Sequence, residues 1–181
     1  MKKWVIYLIG LILLIISFIF DKQIVNFFIN LRVDFLNPVF VFIGTITEWP
    51  ILFIVTALVI YFKGKKLLTR FVFTYFATLI IILIIRIITR IPRPSTSLVD
   101  ASTLSFGYSF PSGHTTTAFL LLPLFINLYP KKKFLWIMLA VLIAISRLYI
   151  GVHYLSDVIF GAFLGYSMSY FLLKNVKRKN S

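Results

Sequence analysis

Apolar runs at residues 4–20, 50–62, 71–88, 111–129, 134–150 and 154–173 divide most of the chain between them. Most reach or approach the roughly 17–25 residues with which a helix crosses a bilayer. The second is short, and apolar residues from 39 onward extend it. In hydrocarbon every backbone N–H and C=O needs a partner within its own segment, so such runs fold as helices packed side by side. Composition agrees: 60% of residues are apolar and Phe alone occurs 20 times, against about 45–50% apolar residues in an ordinary soluble domain. The expected fold is all-α, a six-span transmembrane bundle forming one domain over residues 1–181. The chain has no cysteine, which excludes disulfide and thiolate chemistry.

Residues 21–37 depart from this pattern. Ile24, Val25, Phe27, Phe28, Leu31, Phe35 and Leu36 alternate with Lys22, Asn26, Arg32 and Asp34 at helical spacing. One apolar face of that kind predicts an amphipathic helix lying at the interface after span one. No small-x-small cleavage site follows the first run, so it is expected to be an uncleaved span and not a signal peptide. Pro50 suits the first turn of a helix, and Pro123 is expected to kink span four. The polar segment 89–110 reads as a loop long enough to be functional. Glu48 admits two readings, a solvated interface residue beside Trp49 or a partner of a buried site. The neighbouring Trp favours the first.

The net charge is +14. In a soluble chain that would raise nucleic acid as a partner. Here 13 of the 19 Lys and Arg fall in the amino terminus, in 63–70, in 130–133 and from 174 onward. Membrane orientation explains this without nucleic acid, and anionic lipid headgroups add to it. Both termini are expected to be cytoplasmic in a multi-pass cell-membrane protein. All five acids and the remaining six basic residues then fall on the outer side.

Three polar clusters lie at the outer ends of spans three to six. The first runs from Arg86 to Pro94, the second is Pro111-Ser112-Gly113-His114, and the third runs from Ser146 to Asp157. Ionisable groups at membrane depth are costly, so they mark a site. His153 and Asp157, four apart, share one helix face. A carboxylate on one imidazole nitrogen fixes the tautomer and leaves the other free as nucleophile or base. His114 opens a helix whose free N–H groups attract an anion. Arg86, Arg93 and Arg147 offer guanidinium forks that match phosphate oxygens. Together these describe a phosphoryl-transfer site in which one histidine attacks phosphorus and the other protonates the departing oxygen. Gly161, Gly165 and Ser169 continue the Asp157 face, and small residues there admit a neighbouring helix. A metal held by His114, His153 and Asp157 is the rival reading, opposed by the three arginines. Arg90 reads as a snorkelling side chain.

These clusters resemble the signature of the type 2 phosphatidic acid phosphatase superfamily, which includes lipid phosphate phosphatases, bacterial polyprenyl-pyrophosphate phosphatases, glucose-6-phosphatase and vanadium haloperoxidases. That signature reads Lys-x6-Arg-Pro, Pro-Ser-Gly-His and Ser-Arg-x5-His-x3-Asp. The second and third parts match unchanged at 111–114 and 146–157. In the first, Arg86 stands where the family has lysine, ahead of Arg93-Pro94. The motif core spans 86–157. The resemblance implies His153 as nucleophile, Asp157 as its orienting partner and His114 as general acid. It implies Arg86, Arg93, Ser112, Gly113 and Arg147 as phosphate-binding residues, with no metal and no cofactor.

The expected function is hydrolysis of a membrane lipid phosphate or pyrophosphate at the outer face, with undecaprenyl pyrophosphate the preferred substrate. Phosphatidylglycerol phosphate and phosphatidic acid compete with it. The rival classes are a lipid phosphotransferase and a non-hydrolytic lipid-phosphate binder or transporter. A haloperoxidase is disfavoured in a membrane bundle.

Overall fold

The computed structural model describes residues 3–99 and 107–174, with side chains from Leu8 onward. Lys2, the centre of the 89–110 loop and the basic tail from Lys177 lie outside the described residues. Among the described residues seven α-helices follow one another: α1 Lys3–Asn30, α2 Leu36–Ile46, α3 Trp49–Tyr61, α4 Lys65–Thr89, α5 Gly113–Leu128, α6 Lys133–Tyr149 and α7 Leu155–Leu173. A 3-10 turn, Pro130–Lys132, joins α5 to α6. Among the described residues the one β pairing is an antiparallel bridge between Pro92 and Tyr108. It closes the base of the loop between α4 and α5.

Three helices, α1, α4 and α7, are long and apolar enough to cross a membrane. The pair α2 and α3 passes the same test together, bent by 57° at the break between them. The protein is therefore a membrane-spanning helical protein. The break falls where the sequence turns polar, at Thr47 and Glu48, with Pro50 in the first turn of α3. Proline lacks the N–H that a continuous helix would need there, and its ring clashes with the preceding turn.

The centre of the bundle is the contact between α5 and α7. A Cβ on Gly165 would collide with the carbonyl oxygen of Thr116, and one on Gly161 would lie 2.9 Å from that of Ser112. Only glycine lets the two backbones come so close, which is the close approach the small-residue face predicts. Beside this contact Ile60, Phe71, Tyr75, Leu120, Leu124 and Leu172 form a buried core shared by α3, α4, α5 and α7. The buried Tyr75 hydroxyl donates to the carbonyl of Trp49 at 2.6 Å. An unpaired hydroxyl there would cost about 1–3 kcal/mol.

Residues 21–30 differ from the sequence expectation. They form no separate interfacial helix but continue α1 without a break. The reason lies elsewhere in the chain. The carboxylate of Asp21 accepts from the Ser156 amide at 2.8 Å and from its hydroxyl at 2.6 Å, capping the start of α7. Ile24 and Phe28 pack against Ala144, Leu148 and Val158. The amphipathic face is thus spent on α6 and α7. Beyond α1, Arg32 Nε donates to the Tyr149 carbonyl at 3.0 Å.

At the opposite end of the bundle the basic segments gather. Lys63 lies over the ring of Tyr129, 5.5 Å from its centroid, within cation–π range. Arg70 donates to the carbonyl of Lys174. The α3–α4 loop, the α5–α6 turn and the end of α7 therefore share one end.

Candidate active site

Each helix end at the site is fixed by its own sequence. Helix α6 stops at Gly151, whose φ of +73° suits the left-handed cap that glycine adopts freely. A Cβ there would also meet Arg32 Nη2 at 2.5 Å and the Thr96 carbonyl oxygen at 2.8 Å. The chain then turns through His153 into α7. Asp157, in the first turn of α7, accepts from the Tyr154 amide at 2.8 Å and so caps that helix. Helix α5 is capped by the fully buried Ser112, whose hydroxyl accepts from the Thr115 amide. The Ser112 amide in turn donates to the Asp157 carbonyl at 3.2 Å. That bond ties the second cluster to the third, backbone to backbone.

The three clusters surround one cavity of about 640 Å³. Arg86, Arg93, Gly113, His114, Arg147 and His153 all line it. Ser112 and Asp157 stand behind that wall, each fully buried. The same Asp157 oxygen that caps α7 lies 3.1 Å from Nδ1 of His153. The carboxylate can only accept, so Nδ1 carries the hydrogen and Nε2 keeps its lone pair. Arg93 Nη1 lies 3.3 Å from that Nε2 and donates to the Val152 carbonyl at 2.9 Å. Burial holds the His153 pKa well below its ordinary value, with Arg93 the next largest cause. Burial likewise lowers Arg93 to about 10, with Arg86 adding to the shift.

The arginines are anchored but not saturated. Arg86 Nη2 donates to the Pro111 carbonyl at 3.1 Å, and Arg147 Nε donates to the Ser146 hydroxyl at 3.0 Å. Arg86 Nε, Arg93 Nε and Arg147 Nη2 are buried without a protein partner. Buried donors are seldom left unpaired, and three on one cavity wall suit a multiply charged anion. Arg90 plays no part. It caps α4 in the left-handed region, exposed, with Nε on the Ile87 carbonyl.

Two features of the wall were not predicted as site residues. Gly44 on α2 faces Arg147 so closely that a Cβ would collide with Nη2. Its carbonyl lies 3.3 Å from His114 Nε2. Glu48, in the α2–α3 break, places Oε1 3.6 Å from the same nitrogen. The sequence signal was present, a lone acid in an otherwise apolar stretch, but the Trp beside it pointed to the interface. The rest of the wall is apolar apart from Thr45, with Val41, Trp49, Leu79, Ile82, Leu83 and Val99 among its residues. Among the described residues no group of His, Asp and Glu is arranged to hold a metal ion.

Residues 67–181 match the family model of the PAP2 superfamily. The chain belongs to the PAP2 superfamily. The fold of this PAP2 protein is that of a transmembrane PAP2-type phosphatidylglycerolphosphate phosphatase from Bacillus subtilis. That crystal structure superposes with a TM-score of 0.77, at 22% identity, over 99% of each chain. Among relatives, the Bacitracin transport permease protein BcrC of Bacillus licheniformis is 31% identical over 72% of this chain and 66% of its own length. Phosphatidylglycerophosphatase B of Bacillus subtilis (strain 168) is 37% identical over 40% of each chain. A Lipid A 1-phosphatase of Rhizobium etli is 40% identical over 32% of this chain and 25% of its own. The matched segments thus span from a quarter to just under two thirds of these relatives.

Proposed function

We propose that this protein is a membrane lipid phosphatase that works through a phosphohistidine. His153 Nε2 attacks phosphorus as the bond to the lipid oxygen breaks, and His114 gives that oxygen its proton. Water then attacks phosphorus, loses its proton to His114, and the electron pair of the N–P bond returns to Nε2. Arg86, Arg93 and Arg147, with Ser112 and Gly113 at the α5 start, hold the charge that develops on the phosphoryl oxygens. Asp157 keeps His153 in the reactive tautomer. The observation that carries this reading is His153 itself, with Nδ1 on a buried carboxylate and Nε2 beside a guanidinium on the cavity wall. No metal step is needed, because three guanidinium groups already supply the positive charge.

The preferred substrate is a polyprenyl pyrophosphate such as undecaprenyl pyrophosphate. A wall that is cationic at one end and apolar along α4 suits a charged head on a hydrocarbon chain. Phosphatidylglycerol phosphate and phosphatidic acid share that chemistry. In the membrane we count α1, the bent α2–α3 pair, α4, α5, α6 and α7 as six crossings of one domain. Helix α5 has 16 residues and α6 has 17, about 24–26 Å at the usual helical rise. The clustered basic segments would face the cytoplasm with both termini, and the cavity would open outward.

Phosphate release from a panel of lipid phosphates, in detergent with excess EDTA, tests this. Wild-type turnover that resists EDTA and is lost in His153→Ala is the expected result. EDTA-sensitive turnover would end the metal-free mechanism. The permease name of the Bacillus licheniformis relative supports a second reading, a lipid-phosphate carrier, which would release no phosphate at all.

A further inference from the structure

We infer that Glu48 is a positioning residue that holds the leaving-group proton on His114, because its carboxylate faces His114 Nε2 from the break between α2 and α3. This rests on the phosphatase reading above. His114 Nε2 has two oxygen neighbours, the Gly44 carbonyl at 3.3 Å and Glu48 Oε1 at 3.6 Å. Both oxygens can only accept, so Nε2 must carry a hydrogen. The carbonyl is at hydrogen-bond distance, whereas the carboxylate acts as a charge. His153 is held the opposite way, with its hydrogen on Nδ1 toward Asp157. Each imidazole of the cavity therefore has a carboxylate beside it, but on opposite nitrogens: Asp157 bonds Nδ1 of His153, whereas the Gly44 carbonyl bonds Nε2 of His114 and Glu48 adds its charge there. One ring is kept ready to attack, and on the other the negative charge of Glu48 favours the doubly protonated imidazolium from which a proton can be given.

The charges around the cavity give this second carboxylate a role. Arg86, Arg93 and Arg147 line the same wall as His114, and each opposes a positive imidazole. Glu48 is the single acid among the residues lining it. It stands at the N-cap position of α3, yet its side chain makes no capping hydrogen bond. Its side chain is also 39% exposed, against 14% for His114, so it borders the open part of the site.

The experiment compares leaving groups. Expulsion of an alkoxide needs a proton, whereas nitrophenolate leaves without one. Full-length wild type and Glu48→Gln in detergent are given dodecyl phosphate or 4-nitrophenyl phosphate, and single-turnover cleavage is read for each. Gln keeps the shape and removes the charge. The alkyl-to-aryl rate ratio should fall by about tenfold or more in the variant. An equal loss on both substrates, or no loss on either, overturns the inference. If Glu48→Gln does not fold, Glu48→Asp supplies the same comparison, and an unchanged ratio overturns it there. A wild type inert toward both substrates removes the phosphatase reading and this inference with it.

Discussion

Nδ1 of His153 lies 3.1 Å from Oδ2 of Asp157, and that one oxygen also accepts the amide of Tyr154 at 2.8 Å. A single carboxylate oxygen therefore starts a helix and orients the imidazole in front of it. The two jobs can be separated. Asparagine in place of Asp157 keeps a carbonyl for the Tyr154 amide but loses the charge that pairs with Nδ1–H. Asp157→Asn should lower kcat by about a hundredfold or more, roughly 2.7 kcal/mol in the barrier. Its thermal unfolding in detergent should stay close to wild type. Parallel measurement of kcat and melting temperature checks both halves.

The acid limb of the reaction should report His153. Burial and the neighbouring Arg93 hold this imidazole well below its ordinary pKa. Protonation removes the attacking lone pair, so a lowered pKa keeps the ring reactive as pH falls through about 6.5. The burst of nitrophenolate from 4-nitrophenyl phosphate should be sustained to below that pH. A midpoint at or above 6.5 would contradict the environment described for Nε2. Arg93→Gln should move the limb upward, since it removes the next largest cause of the shift.

Gly161 and Gly165 should respond differently to a methyl group. At Gly165 the added carbon meets the Thr116 carbonyl oxygen and the Leu120 amide nitrogen, both backbone atoms within α5. At Gly161 it meets the carbonyl oxygen of Ser112, the residue that caps the start of α5. Gly165→Ala should cost about 1–3 kcal/mol of stability through overpacking. Gly161→Ala should depress activity beyond its effect on folding. Thermal unfolding and specific activity, measured on the same preparations, separate the two.

Arg86 fills the position at which the signature that this sequence resembles has lysine. Its fork binds the Pro111 carbonyl through Nη2 and leaves Nε facing inward. Lysine keeps the charge but cannot hold both directions. Arg86→Lys should raise KM by about threefold to tenfold, roughly 0.7–1.4 kcal/mol, with kcat little changed. Arg86→Ala should lose more. Steady-state kinetics on a short-chain lipid phosphate gives the comparison.

Sidedness can be read with single cysteines, since the chain has none of its own. Ser102→Cys should react with an impermeant thiol reagent in intact cells. Lys131→Cys should react only after lysis. The reverse pattern would invert the proposed orientation.

The sequence exposed those parts of the site that local chemistry specifies. Ser112-Gly113-His114 announces a helix start, and the spacing of His153 and Asp157 already puts them on one face. The glycines of α7 predict a close neighbour, though not that the neighbour is α5. What stayed hidden depends on partners distant in the chain. Asp21 looks like an interfacial acid until Ser156, 135 positions later, takes both of its oxygens. Only then does it follow that 21–30 belong to α1. Glu48 looks like a wet residue beside Trp49 until the bend of α2 against α3 brings it to His114. No periodicity encodes a bend.

The amide of Ser112 on the carbonyl of Asp157 has a mechanical consequence. It joins the start of α5 to the start of α7, so a shift of one helix against the other would move His114 relative to His153. Among the described residues, the stretch of wall that carries Gly44 and Glu48 has no such tie, and comes from two helices bent by 57° at the break between them.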